Sequence, residues 1–180
     1  MRPGEAKENT MNGVLTRGAV VGAMAIILCA GSHGCESGRA GLAARPWSLT
    51  DLEGTKHSLA DQAGQVVVLA FWSSDDVPSR LAVSDVQKVY EQFADRAVAV
   101  FGVSMEIVDG TDAFFDVERY TFTQLISDGS AVKTYAVDEI PTFVVIGLDK
   151  GVVFREEGFA PGVGQRLALA IEQQLRQHGM

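Results

Sequence analysis

Residues 64–72 read GQVVVLAFW. After Gly64 comes an uninterrupted apolar run, Val66 to Trp72, β-branched at its start and free of charge. So short a run, bounded by a glycine and a polar turn, predicts a strand buried on both faces at the centre of a helix-covered sheet. Downstream, SSDDVPSR (73–80) is the polar turn. Beyond it Ala82, Val86, Val89, Tyr90 and Phe93 recur at helical spacing and form one apolar face. AVAVFGV (97–103) predicts a second buried strand. Residues 112–120 open on an acidic residue and predict a helix. Residues 122–126 predict a short strand ended by Asp128-Gly129, and residues 130–136 a short helix. TFVVIGL (142–148) and residues 152–155 predict two strands split by Asp149-Lys150-Gly151, a hairpin-turn signal. Leu167, Ala168, Ile171 and Leu175 give a last helix its apolar face. Upstream, residues 47–49 and 55–57 flank Asp51-Leu52-Glu53-Gly54 and predict a small N-terminal β-hairpin.

Strand, helix, strand, helix, then a hairpin and a final helix is an α/β order. The first half requires parallel crossovers, and the closing hairpin makes the central sheet mixed. The expectation is one domain over residues 47–178, with helices on the sheet's flanks. About 130 residues bury roughly two-thirds of the surface their unfolded chain exposes, enough to fold without staples.

The chain has 180 residues, 47% hydrophobic and 21% charged, an ordinary globular mix. Its 15 Lys+Arg against 23 Asp+Glu give a net charge of -8, which argues against nucleic acid as a partner. The two cysteines, Cys29 and Cys35, are too few for a disulfide scaffold or a four-thiolate zinc site. His33, His57 and His178 are too far apart in sequence for a metal-ligand pattern, and no cofactor is expected.

Residues 1–35 read as an export leader. Arg17 precedes AVVGAMAIILCA (19–30), an apolar run shorter than the roughly 20 residues a transmembrane helix needs and suited to a secretory signal. Either Met1 or Met11 serves as the start. Gly34-Cys35 fits the last step of a bacterial lipoprotein signal, which makes Cys35 the lipidation candidate, although Ser32 stands where such signals carry Leu. Cleavage between Ala30 and Ala44, or an uncleaved anchor, are the other readings. Each places the folded part outside the cytoplasm, periplasmic or in the cell envelope, touching a membrane through the N-terminus only. Residues 36–46, rich in Gly, Ala and Ser, read as a linker. Residues 36–180 carry 12 Lys+Arg, 21 Asp+Glu and no cysteine.

SLTDLEGTKHSL (48–59), GQVVVLAFW, the polar turn with its helix, and EIPTFVVIGLDKGVVF (139–154), in that order and spacing, resemble the thioredoxin superfamily. The branch is that of the TlpA/ResA-like envelope thiol–disulfide oxidoreductases, with the AhpC/TSA-Redoxin peroxiredoxins related. The resemblance covers about residues 47–178 and implies a thioredoxin-like fold. It also implies a Cys-x-x-Cys pair just after Phe71-Trp72. There a helix N-terminus favours a thiolate, which attacks a substrate disulfide before the second cysteine resolves the intermediate. The matching positions here are Asp76 and Ser79, with Val77-Pro78 between them; Pro78 and Arg80 keep the pattern. Carboxylate and hydroxyl do not perform thiolate chemistry, so no catalytic residue is assigned. Asp76 reads as a helix N-cap and Pro78 as a first-turn proline. Asp75 and Asp76 lack a third ligand for a cation.

Ile140-Pro141 matches the family's cis-proline, whose preceding residue offers its backbone to an extended peptide. Two readings stand side by side. Either the bond serves only the fold, or a peptide groove persists between Trp72, the Asp76 turn and Ile140-Pro141. Trp72 itself reads as partly buried packing, His57 and His178 as surface residues, and Glu156-Glu157 as a solvated turn. The leading expectation is an exported, redox-inactive binding or scaffold module for an extended peptide or envelope protein. The alternatives are a thiol–disulfide oxidoreductase or antioxidant enzyme drawing sulfur from elsewhere, and a structural relic without a groove.

Overall fold

The computed structural model of the chain describes residues 42–105 and 120–180. The chain divides into two compact units, Met1–Ser37 and Gly38–Met180, and every described residue belongs to the second. The leader, both cysteines, residues 36–41 of the linker and residues 112–119 of the helix expected over 112–120 lie outside the described residues.

The described strands are β1 (Ser48–Asp51), β2 (Lys56–Ser58), β3 (Val66–Trp72), β4 (Val98–Ser104), β5 (Thr123–Ile126), β6 (Thr142–Ile146) and β7 (Val152–Glu157). The described α-helices are α1 (Val77–Gln92), the short α2 (Ser130–Thr134) and α3 (Val163–Gln177), with a 3-10 turn at Ala60–Gln62. The strands form one mixed sheet in the order β2-β1-β5-β4-β3-β6-β7. β3 runs parallel to β4, and β4 to β5, whereas β6 and β7 return antiparallel. This is a thioredoxin-like fold, and the N-terminal hairpin is not an appendage, because β1 continues the sheet by pairing antiparallel with β5.

All seven residues of β3 are buried. Alternation explains how one strand serves two cores. Val66, Val68, Ala70 and Trp72 join the layer under α1 and α3, with Val86, Val89, Phe93, Leu167, Ile171 and Leu175. Val67, Leu69 and Phe71 face the other layer, with Trp47, Leu49, Leu59, Ala131 and Tyr135. The sheet therefore separates α1 and α3 on one side from α2 and the N-terminal hairpin's apolar residues on the other.

Three expectations are corrected. Glu156-Glu157 is the end of β7 rather than a turn. Glu156 receives two hydrogen bonds from the Arg166 guanidinium of α3, at 2.7 and 2.5 Å, and Glu157 pairs with Arg155. His57 is half-buried rather than a free surface residue. Its Nε2 lies 2.7 Å from Asp51 Oδ2, and its ring packs 5.6 Å from that of Phe101. The expected free linker does not extend to its last residues. Ala44 N donates to Lys150 O at 2.7 Å and Val152 N to Leu42 O at 2.8 Å, so residues 42–44 strap the β6–β7 hairpin. The buried phenol of Tyr135 donates to Arg45 O at 2.8 Å beside this strap, and burial pushes its pKa up to about 12.

Candidate functional site

The turn between β3 and α1 is built by its own sequence. Asp76 has extended backbone (φ -93°, ψ 119°) and stands at the N-cap of α1. Its Oδ2 accepts from Ser79 N at 2.7 Å, which satisfies one of the N–H groups a helix start leaves over. Pro78 falls in the first turn, where its missing N–H costs nothing. Asp76 N donates to Ser73 O, Asp75 N to Ser73 Oγ, and Arg80 reaches back to Ser74 O at 2.7 Å. The turn is thus cross-tied from both sides.

Ser79 differs from its neighbours. It is 0% exposed, and its Oγ has no hydrogen-bond partner. A buried hydroxyl without a partner loses its hydration and gains nothing in return. The position suits a small apolar or weakly polar atom better than oxygen. At the neighbouring Asp76, the carboxylate is already committed to capping.

Register brings the second candidate to the same end of the sheet. Phe71 pairs with Thr142, so Ile140-Pro141 follows on from the strand end at which α1 begins. The Ile140-Pro141 bond is cis. Ile140 is half-buried and Pro141 buried. On α1, which starts just after this strand end, Val77 and Leu81 are each 56% exposed.

Trp72 needs correction as a groove wall. It is 1% exposed and belongs to the core between the sheet and α1. Its Nε1 donates to Gln124 Oε1 at 3.3 Å, and Gln124 Nε2 donates to Phe122 O at 3.2 Å. Gly102 on the intervening strand makes room for that amide, since a Cβ there would overlap the Gln124 side chain. Nothing near Gln124 in the chain marks it; only the order β3-β4-β5 places it across Gly102 from Trp72.

Asp51 is a second polar centre that sequence reasoning passed over. Burial alone would raise its carboxyl. The His57 ring and the Thr55 and Glu53 N–H groups outweigh burial and hold it below the usual range. The hairpin register pairs Leu49 with His57, so Asp51 lies on the same strand face two residues on. Among the described residues, no group of three or more His, Cys, Asp or Glu is arranged to hold a metal ion. Among them, too, no helix is long and apolar enough to cross a membrane.

Comparison with known proteins agrees with this architecture. The chain is 32% identical over 117 residues to the thioredoxin-like protein YneN of Bacillus subtilis, covering 63% of this chain and 68% of that one. It is 27% identical over 113 residues to the thiol-disulfide oxidoreductase ResA of Bacillus thuringiensis, covering 61% of this chain and 65% of that one. It therefore spans about two-thirds of the length of these relatives. Among solved structures, a thiol:disulfide interchange protein of Chlorobium tepidum superposes with a TM-score of 0.66 at 17% identity, over 75% of this chain and 97% of that one. The thioredoxin domain of a thiol-disulfide oxidoreductase from Bacteroides vulgatus gives 0.64 at 21%, over 74% and 96%. The AhpC/TSA family model matches residues 40–155, most of the folded unit, and the chain belongs to that family.

Proposed function

We propose that this protein is an exported, envelope-held thioredoxin-fold module that binds an extended peptide or a partner protein and carries out no thiol–disulfide exchange. The burial of an unpartnered Ser79 hydroxyl directly behind an Asp76 cap carries the reading. At the helix start where the resemblance places a reactive sulfur pair, one oxygen is engaged with the backbone and the other is inaccessible. From residue 36 onward the chain has no cysteine to replace them. A hydroxyl is a far weaker nucleophile than a thiolate and needs a base to activate it; Ser79 Oγ has no hydrogen-bond partner of any kind.

Binding is supported by the apolar surface that remains. Val77 and Leu81 of α1 are exposed, and α1 starts at the sheet end to which the cis Ile140-Pro141 bond leads, so a segment bound at that end would meet both side chains and backbone. Export and N-terminal attachment are supported by the charge-free run at residues 19–30 behind Arg17, with Cys35 as the candidate for lipidation.

The test is disulfide reduction by the full chain carrying Cys29→Ser and Cys35→Ser. We expect insulin reduction at the uncatalysed rate. Turnover above that rate in the cysteine-free variant would refute the proposal. Turnover by the unsubstituted chain alone would assign the chemistry to the leader cysteines.

A further inference from the structure

Where the chain enters the domain, a groove of about 360 Å3 lies between residues 42–45, the end of α2 and the β6–β7 hairpin. Tyr135, Val144 and Val152 line it, and Arg45, Lys133 and Arg155 contribute three cations. Arg155 is engaged with the carbonyls of Tyr135 and Ala136 and with Glu157. Arg45 and Lys133 are exposed, and among the described residues neither side chain has a carboxylate partner. Leu42, in the same lining, is 86% exposed. An open leucine beside unpaired cations is notable in a chain of net charge -8.

We propose that this face docks the domain onto an anionic phospholipid bilayer, with Arg45 and Lys133 on the headgroup phosphates and Leu42 entering the interface. The inference rests on the reading that the N-terminus is the membrane attachment. Two observations select a bilayer as occupant. The first is reach: Leu42 follows Cys35 by seven residues, so a fully extended chain separates them by at most about 25 Å. A lipid or apolar anchor at that end holds this face nearer the membrane than most of the domain. The second is sign. Each Lys or Arg brought to an anionic leaflet strengthens association about fivefold, whereas the acidic remainder of the surface is repelled. Docking therefore fixes an orientation. α1 lies on the opposite side of the sheet from α2, so Val77 and Leu81 are turned away from the lipid and left open to a partner.

The test uses the full chain reconstituted into vesicles of phosphatidylcholine alone or of phosphatidylcholine with phosphatidylglycerol. Flotation reports attachment. An amine-reactive reagent with mass-spectrometric readout reports the labelling rate at Lys133, with Lys88 of α1, 72% exposed and on the other side of the sheet, as internal reference. We expect Lys133 to label at least about fivefold more slowly on the anionic vesicles while Lys88 is unchanged. High salt or Arg45→Glu should restore the Lys133 rate. Equal Lys133 rates on two vesicle types that both float the protein would overturn docking while leaving the anchor intact. Failure to float with either vesicle would overturn the anchor reading and the docking that rests on it. Slowing by soluble polyglutamate but not by anionic vesicles would overturn docking by assigning the groove to an acidic protein.

Discussion

Replacing Ser79 by Ala should make this protein more stable, an uncommon outcome for a substitution at a wholly buried site. The hydroxyl is 0% exposed and unpartnered, so its removal ends a desolvation penalty of about 1–3 kcal/mol. Ser79 stands three residues into α1 from the Asp76 cap, and Ala is the better helix former by a few tenths of a kcal/mol. Against these gains stands the void left by one oxygen, about 0.3 kcal/mol at roughly 24 cal/mol per Å3. The cap survives, because Asp76 Oδ2 accepts from the backbone N of residue 79 and not from its side chain. The net expectation is a gain of about 1–3 kcal/mol. With a urea slope near 2 kcal/mol per molar, the midpoint should rise by ~0.5–1.5 M. Intrinsic fluorescence is a suitable probe, since Trp47 and Trp72 are both in the core. Ser79→Cys should be neutral or stabilising, because a thiol tolerates burial without a partner. A loss of stability in Ser79→Ala would mean that the hydroxyl is hydrogen-bonded after all, and the reading of position 79 as better suited to a less polar atom would have to be given up.

Two further outcomes follow from the polar centres. Asp51 has a lowered pKa in the folded state, so its contribution is complete above the ordinary carboxylate value of 3.8 and is lost as pH falls through the folded value. Asp51→Asn should therefore be less stable than the parent at pH 7 by about 1–3 kcal/mol, and the gap should close in strong acid. A gap that persisted at low pH, measured by urea unfolding across the range, would count against the His57–Asp51 pair as its source. Gly102→Ala should displace the Gln124 amide, break its bond to Trp72 and cost about 1–3 kcal/mol. The tryptophan emission of the folded state should change with it; an unaltered spectrum and midpoint would show that Gln124 repacks freely.

Much of the fold was legible because it depends on local pattern. The run Val66–Trp72 announced a central strand, and the helical spacing of Val86, Val89 and Phe93 named the buried face of α1. Even the burial of Trp72 was implicit, since period-two alternation puts it on the face of Val66, Val68 and Ala70. What escaped was set by partners distant in sequence. Glu156 looked like part of a turn because nothing near it announces Arg166 of α3. The strap at residues 42–44 escaped because its bonds are made by backbone, to which a Gly/Ala/Ser composition is blind. The His57–Asp51 pair was within reach, because the hairpin register alone brings the two together. At the α1 turn, sequence placed Asp76 as a cap correctly. It gave no indication that the Ser79 hydroxyl would be sealed in without a partner.

The strap also has a bearing on self-association. β7 is one of the sheet's two edge strands, and an edge strand is a template on which further chains can grow. Residues 42–44 occupy its first rungs through Lys150–Val152, and the remainder ends in Arg155, Glu156 and Glu157, whose charges discourage a neighbouring copy. Trimming the protein back to Trp47 as a tidy domain boundary would leave the Lys150 carbonyl and the Val152 N–H, which residues 42–44 now engage, open to another chain.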